Sequence, residues 1–494
     1  MSFILAVDQG TSSSRCILFD HQANPVATAQ QAFTQYFPYP GWVEHDAEEI
    51  WKSQSIAFRQ VLQRTNIDCS DIAGIGITNQ RETTIIWDRN TGKPIYNAIV
   101  WQDRRTADEC NRLKLIGAEA TIKSKTGLLL DAYFSATKIC WILDHVENAR
   151  KRAERGELAF GTIDSWLVWK FTNGELHITD VSNAARTLLL NINTLQWDNE
   201  LLTLFNIPPS LLPTVRSSCE IYGQTINAEV GPGIPIAAIA GDQQAGLFGQ
   251  LCTKPGMAKC TYGTGSFLMM NTGKQRVSSD NGLLSTIAWQ IGHETFYALE
   301  GSVFVGGAVI QWLRDGLKLI DHASDSEQLA ASVEDNGGVY FVPALTGLGA
   351  PHWDPHARGA IFGITRGTNS AHFTRAALES ICFQVDEVLQ LFSNESGTPI
   401  TQLRIDGGVA TNNLVAQFQA DISAVEVTRP TDFESTARGA AYLAGIATGL
   451  WNINELNQKW QIGQSFQQNM PQQTVKELKR FWLKAVGRAK NWVE

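Results

Sequence analysis

Apolar and polar positions fall into short alternating blocks. Residues 4–7 and 16–19 are continuous apolar runs bounded by acidic and small residues, the pattern of short buried strands. Similar runs recur at 72–77, 234–240 and 403–405, and helix-like segments alternate with them, which predicts an α/β architecture with largely buried sheets. Each of these three runs ends in polar residues. They are Thr78-Asn79-Gln80-Arg81-Glu82, Gly241-Asp242-Gln243-Gln244, and Asp406-Gly407-Gly408 with Asn412 and Asn413 opening a helical pattern. Ligands of open α/β sheets gather beyond the carboxyl ends of strands, so these tips are where chemistry is expected, although any one of them is equally an ordinary solvated turn. The final amphipathic stretch predicts a helix over 472–493.

The first two runs are joined by Asp8-Gln9-Gly10-Thr11-Ser12-Ser13-Ser14-Arg15. Successive amides in such a turn form a concave nest of N–H donors, and the hydroxyls add donors without fixed charge. Asp8 at the strand end suits a Mg²⁺ ion held through water, and Arg15 suits phosphate oxygens. The stretch matches neither G-x-x-x-x-G-K-[ST] nor G-x-G-x-x-G in a strand-to-helix context. Gly, Ser and Thr also populate ordinary hairpins. A second stretch, AKCTYGTGSFLMMN at 258–271, repeats the arrangement, and two related loops point to a degenerate duplication with one phosphate loop per half. The boundary is expected within 250–256, where Lys254-Pro255-Gly256 interrupts a helical pattern, giving domains 1–250 and 251–494.

Composition narrows the picture. The chain has 494 residues, enough for two or three domains, with 44% hydrophobic and 18% charged residues as in soluble globular proteins. A formal net charge of −9 disfavours duplex DNA as a partner. No basic n-region precedes the first apolar run, and no run approaches the roughly 20 residues that span a bilayer, so neither secretion nor membrane insertion is expected. Eight scattered cysteines without a C-x-x-C read as free thiols in a reducing cytosol. His352 and His356 have the i, i+4 spacing of helical metal ligands, but Pro351 and Pro355 break that helix, which argues against zinc.

Among the strand tips, Arg81-Glu82 and Asp242-Gln243 suit a small polyhydroxy compound, which needs charge-assisted hydrogen bonds and a carboxylate to accept the proton of the reacting oxygen. A surface ion pair is the commoner explanation of adjacent Arg and Glu. Paired glycines at 407 and 408 let a planar base approach the backbone, or simply make a tight turn. Small residues along 434–449 favour close packing of a helix rather than ligand contact.

The motifs DQGTSSSR (8–15), ITNQRET (77–83), NAIVWQDRRT (97–106), YFSATKICWILDH (133–145), AGDQQAGLFGQ (240–250), YGTGSF (262–267), PALTGLGAPHWDP (343–355), GAIFGITRG (359–367) and DGGVATNN (406–413) span nearly the whole chain. In that order they resemble the FGGY carbohydrate kinases of the actin-like, Hsp70-like ATPase superfamily. The resemblance implies two duplicated actin-like (ribonuclease H-like) ATPase domains flanking a deep cleft, with ATP and Mg²⁺ on the phosphate loops. It implies phosphates held by Thr11, Ser12, Ser13, Arg15 and Thr264, a nucleotide pocket lined by Gly307, Gln311, Gly408 and Asn412, and metal at Asp8 and Asp242. It implies phosphorylation of glycerol to sn-glycerol 3-phosphate, the acceptor lying among Arg81, Glu82, Tyr133, Asp242, Gln243, Trp101, Phe267 and Thr11 with Asp242 as general base. It also implies association as a homodimer or homotetramer, as in relatives, and with the free thiols above a cytoplasmic location is expected.

The loop NAEVGPGIP (227–235) carries Gly233 where relatives inhibited by fructose bisphosphate carry an arginine, and it lacks the histidine that others use for activation by phosphorylation, so both controls are expected to be weak or absent. Three alternatives stand beside the main reading: a family member acting on a ketopentose or tetritol, a non-kinase actin-like ATPase, and a pseudoenzyme regulator. The last two are disfavoured by the lack of an interaction domain or appended tail and by the presence of Asp8 and Asp242.

Overall fold

The computed structural model describes residues 2–493. Thirteen strands form one continuous sheet: β1 Phe3–Gln9, β2 Ser13–Phe19, β3 Pro25–Ala32, β4 Ile72–Asn79, β5 Cys219–Gln224, β6 Pro235–Gly241, β7 Met257–Tyr262, β8 Ser266–Gly273, β9 Leu284–Ile291, β10 Glu294–Val303, β11 Gln402–Asp406, β12 Val427–Pro430 and β13 Ile462–Phe466. Their order is β13-β12-β11-β7-β8-β10-β9-β5-β6-β4-β1-β2-β3. The helices used below are α1 Ala47–Thr65, α2 Asp242–Gly249, α3 Ala308–Gln311, α4 Ser370–Ser396, α5 Asn413–Ser423, α6 Ser435–Ala447 and α7 Gln472–Ala489.

The duplication is explicit in the strand senses. In the first half β1 pairs antiparallel with β2 and β2 with β3, while β1 runs parallel to β4 and β4 to β6. The second half repeats this with β7, β8, β10, β11 and β12. A single parallel pair, Cys219 with Ile291, joins the halves between β5 and β9.

Side-chain alternation along β1 and β2 splits their apolar residues between two cores. Leu5, Val7, Cys16 and Leu18 join Trp51 and Phe58 of α1, whereas Ile4, Ala6 and Ile17 join Ala245 of α2 and Ala437 and Ala441 of α6. Burial on both faces explains why these strands read as continuous apolar runs. Helix α6 belongs by sequence to the second half, yet it packs on the first half's strands β1, β4 and β6 and against α2. The approach is backbone to backbone: a Cβ at Gly439 would lie 2.6 Å from the Ala245 carbonyl carbon and 2.9 Å from the Gly249 nitrogen. The small-residue face of 434–449 is therefore a packing face, as its composition suggests.

Two element ends differ from the pattern. The helix expected over 241–251 ends at Gly249, ahead of Lys254-Pro255-Gly256, because Leu251 turns into the left-handed region (φ 50°) and Cys252 N–H bonds back to Leu247 C=O. The C-terminal helix ends at Ala489 rather than 493, where Lys490 is extended and Val493 N–H bonds to His356 C=O. Among the described residues no helix is long and apolar enough to cross a membrane, and the eight cysteines are unpaired.

Candidate active site

The residues beyond β4 make an unusual corner. Thr83 N–H bonds to Arg81 C=O at 2.7 Å, closing a three-residue turn with Glu82 at φ 63°. A left-handed glutamate is strained backbone, held here because Thr84 and Ser135 hydroxyls both donate to the Glu82 carbonyl oxygen at 3.0 Å. The turn points both charged side chains inward, and Arg81 and Glu82 are each almost fully buried, not a surface pair.

Arg81 is the hub. Its Nη1 donates to Glu300 Oε2 (2.6 Å) and Gln244 (3.3 Å), and its Nη2 donates to Glu300 Oε1 (3.1 Å) and the Tyr133 hydroxyl (3.3 Å). Its Nε lies 3.2 Å from Asp242 Oδ1 and 3.8 Å from Glu82 Oε1. A second buried arginine, Arg186, binds Glu82 Oε1 through Nε (2.7 Å) and Glu300 Oε1 through Nη2 (3.0 Å). Asp242 opens α2 just past β6, and a third of its side chain is exposed.

The electrostatics follow from that geometry. Burial would raise the Glu300 carboxyl, but Arg186 and Arg81 outweigh it and hold it down at about 2. Burial opposes the charge on Arg81, and Glu300, Tyr133, Glu82 and Asp242 reverse the balance, keeping it firmly cationic. Glu82 and Asp242 are pushed up by burial and pulled back by their cationic neighbours, Arg81 and Arg186 for the first and Arg81 and Lys259 for the second.

Trp101 and Thr11 attach to this cluster. The indole N–H donates to Thr11 Oγ1 at 3.0 Å, and its ring meets Tyr133 edge-on at 5.7 Å. Gln243 accepts from the Lys259 ammonium, which also donates to Thr261 Oγ1 at 2.8 Å. Phe267 makes no hydrogen bond or aromatic pair with the cluster. Register alone places it on the sheet face shared by Thr261 and Ser302, two residues along from Lys259 and Glu300 on neighbouring strands.

The two glycine-bearing turns are built alike. Gly10 N–H bonds Ser13 C=O and Gly263 N–H bonds Gly265 C=O, both at 2.9 Å, while the amides of Thr11, Ser12, Thr264 and Gly265 have no acceptor among the described residues. Both turns thus present free N–H donors with hydroxyls beside them, the donor set of an anion nest. Ser13 instead accepts from Gln30 at 2.8 Å. Arg15 faces Asp8 Oδ2 (2.6 Å) across the hairpin and Glu434 (2.5 Å) from the second half.

Behind the second turn, Gly306 and Gly307 amides bond Thr264 and Gly263 carbonyls at 2.8 Å, seating α3 on the turn. A Cβ at Gly307 would meet Gly263 O at 2.8 Å and Val409 at 3.1 Å, whereas one at Gly408 would meet nothing within 4 Å. The surface over Gly408 is therefore open. Gln311 stands exposed at the end of α3, and Asn412 caps α5, its Oδ1 accepting from Val415 N–H at 3.1 Å and its amide donors without an acceptor among the described residues.

A magnesium ion fits the carboxylates present. Asp8 engages Arg15 through Oδ2 and Asp242 engages Arg81 and the Gln243 amide through Oδ1, leaving Asp8 Oδ1 and Asp242 Oδ2 without partners among the described residues. No group of three or more ligating side chains is present among them, in keeping with an ion that takes one or two carboxylates together with phosphates and water.

Sequence reasoning missed Glu300, Arg186 and Lys259. Each carried a signal: a charge inside an apolar run (YALEGSV, NAARTLL, MAKCTY), which is buried and paired when the run is a core element.

The comparisons with known proteins agree with this geometry. The model of the FGGY carbohydrate kinase N-terminal domain matches residues 3–249, and that of the C-terminal domain matches 258–448. Glycerol kinase from Parabacteroides distasonis is 60% identical over 100% of this chain and 99% of its own, and that from Burkholderia multivorans is 57% identical over the same shares. Among solved structures, Plasmodium falciparum glycerol kinase with ADP superposes with TM-score 0.95 at 37% identity, covering 99% of this chain and 98% of that one. A xylulose kinase from Lactobacillus acidophilus shares the fold, with TM-score 0.89 at 23% identity over 99% of this chain and 100% of its own. With a duplicated sheet, a nest of free amides on each half and family models matching both halves, the chain belongs to the FGGY family of carbohydrate kinases.

Proposed function

We infer that this chain transfers the γ-phosphoryl group of ATP to glycerol, forming sn-glycerol 3-phosphate. The observation that carries the reading is a partly open carboxylate, Asp242, anchored to a buried Arg81–Glu82 corner, in a chain whose curated relatives at 57–60% identity over full length are glycerol kinases.

Glycerol offers three hydroxyl donors on a short carbon chain. The acceptors left open to it are Asp242 Oδ2 and Glu82 Oε2, since Arg81 has every N–H engaged or facing a carboxylate. Gln243, pinned by Lys259, and Tyr133 supply further polar contacts, and Trp101 and Phe267 face the carbon side. The reacting hydroxyl donates its hydrogen bond to Asp242. As its oxygen bonds the γ-phosphorus, the bond to the bridging oxygen breaks, the proton passes to the Asp242 carboxylate and the electron pair leaves on ADP. Burial raises the basicity of Asp242, and Arg81 and Lys259 offset that rise.

Phosphoryl transfer spreads charge over equatorial oxygens, so positioning and electrostatics supply most of the catalysis. The Thr11, Ser12, Thr264 and Gly265 amides and the adjoining hydroxyls receive the phosphates, with Ser13 and Arg15 at the foot of the first turn. Gly307, Gln311, Gly408 and Asn412 border the open surface for the nucleoside. Asp8 and Asp242 would hold Mg²⁺, Asp242 Oδ2 having a second lone pair beside the one that accepts from the glycerol hydroxyl, and the ion would neutralise phosphate charge. The acceptor lobe passes to the nucleotide lobe within 250–256, and movement there would exclude water, a competing hydroxyl nucleophile.

The test is purified protein with ATP, Mg²⁺ and a panel of glycerol, dihydroxyacetone, erythritol and xylulose. Glycerol is expected to give the highest kcat/KM. A higher value for xylulose or erythritol, or ATP hydrolysis that no acceptor stimulates, would overturn the reading.

A further inference from the structure

Of the side chains that touch the acceptor in the reading above, all but Phe267 come from the first half. The carboxylate that holds them in place does not. Glu300 lies on β10 in the second half, fully buried, and grips two first-half arginines at once. It meets Arg81 end-on, Nη1 and Nη2 each donating to one of its oxygens (2.6 and 3.1 Å), and Arg186 through Oε1 (3.0 Å). Each arginine in turn faces one of the two acceptor carboxylates, Arg81 towards Asp242 (3.2 Å) and Arg186 towards Glu82 (2.7 Å). Among the described residues Arg186 has no further hydrogen-bond partner, its Nη1 being buried without one, and its guanidinium is otherwise held only over the Phe134 (5.2 Å) and Tyr133 (5.8 Å) rings.

Glu300 is also tied to the second phosphate turn. Its strand pairs with β8 in the register Glu300–Met269, Ser302–Phe267 and Val303–Ser266. Gly265 follows directly, so close that a Cβ there would lie 2.5 Å from Val303 O and 3.0 Å from Phe304 O. One short stretch of β10 thus bears on a phosphate turn at one end and on the acceptor carboxylates at the other.

We propose that Glu300, acting through Arg81 and Arg186, is a positioning residue that sets the distance between the acceptor pocket and the second phosphate turn. The inference rests on the kinase reading above. A bidentate carboxylate is the group suited to the task, because a planar guanidinium held through two bonds fixes orientation as well as distance. Misplacement of reacting groups by about 1 Å costs on the order of 10²-fold in rate.

The experiment compares the parent with Glu300→Gln, Glu300→Asp and Arg186→Lys in steady-state assays with glycerol and ATP varied separately, each variant being checked by thermal melting and circular dichroism. Glu300→Gln keeps the shape and removes the charge, and is expected to lower kcat about 10²-fold and raise the KM for glycerol while leaving the KM for ATP within about twofold. Glu300→Asp, which keeps the charge, is expected to recover part of kcat. Arg186→Lys loses the bridge between Glu82 and Glu300 and is expected to raise the KM for glycerol about tenfold, as loss of one charge-assisted bond does. A folded Glu300→Gln variant with kcat within threefold of the parent overturns the proposal, as does one in which the ATP and glycerol KM values rise together. Should Glu300→Gln fail to fold, Arg186→Lys decides, and an unchanged glycerol KM and kcat in it overturns the proposal. A parent inactive on glycerol refutes the substrate assignment instead; the positioning claim is then read on whichever acceptor of the panel turns over, and a parent that turns over none overturns both.

Discussion

The contact of α2 with α6 is the most exposed to a single added methyl. A Cβ at position 439 would press into the Ala245 carbonyl, whose oxygen is the nearest atom and whose carbon would lie 2.6 Å away, and would sit 2.9 Å from the Gly249 nitrogen; ordinary contact begins at 3.4 Å, so Gly439→Ala requires the helices to part by more than 0.8 Å (3.4 less 2.6). Both opposing atoms are backbone and cannot rotate away. Overpacking of this kind costs about 1–3 kcal/mol, and the upper end applies. Alanine's better helix propensity returns about 1 kcal/mol, leaving a net loss of about 2 kcal/mol. The displaced helix begins with Asp242, three residues before Ala245, so the proposed general base moves with it and kcat is expected to fall about 10- to 100-fold. The matched control is Gly487→Ala in α7, where the new Cβ meets nothing within 4 Å and stability is expected to hold or rise by up to about 1 kcal/mol. Thermal melting and a coupled ADP-release assay on the two variants read both quantities. A Gly439→Ala protein that melts with the parent and turns over at its rate would refute the argument.

Four further outcomes follow from the site. Asp242→Asn is expected to lose about 10²- to 10⁴-fold in kcat while ADP affinity, measured by calorimetry, stays within a few-fold; near-normal turnover removes Asp242 from the proposed role of base. Trp101→Phe keeps the ring against Tyr133 but deletes the bond to Thr11, and the glycerol KM should rise about fivefold, the worth of one ordinary hydrogen bond. His45 is fully buried and burial pushes its imidazole down to about 4, so the folded protein keeps it neutral while the unfolded chain takes up a proton below about 6.5. Its contribution to stability is therefore lost as pH falls, by about 2 kcal/mol between pH 7 and pH 5, and denaturant titrations should show His45→Gln losing that much less than the parent over the same interval. Fructose bisphosphate should leave turnover unchanged, because the loop before β6 offers a glycine at 233 in the left-handed region (φ 87°) in place of an arginine; inhibition at physiological concentration would contradict this.

The sequence by itself determined the local elements and the kinds of chemistry present. Apolar runs bounded by Asp, Gly and Ser are sufficient to specify β1, β2, β7 and β8, since a strand buried on both faces has no other way to be written. The repeated glycine turn announced the duplication, and the polar strand tips located Arg81, Glu82, Asp242 and Gln243. What the sequence could not decide is how those charges are paid for in a dry interior. Arg81 beside Glu82 reads equally well as a solvated pair, and the difference lies in Arg186, 104 positions after Glu82 in the first half, and Glu300, 218 positions after it on β10 of the second half, which reach the corner only through the tertiary fold. Likewise the small residues of α6 specify a close approach, but its partner α2 follows from topology, because a helix from one half must cross onto the strands of the other. Charge pairing and close packing depend on distances through space, and a one-dimensional pattern records only that a residue needs a partner, not which partner the fold supplies.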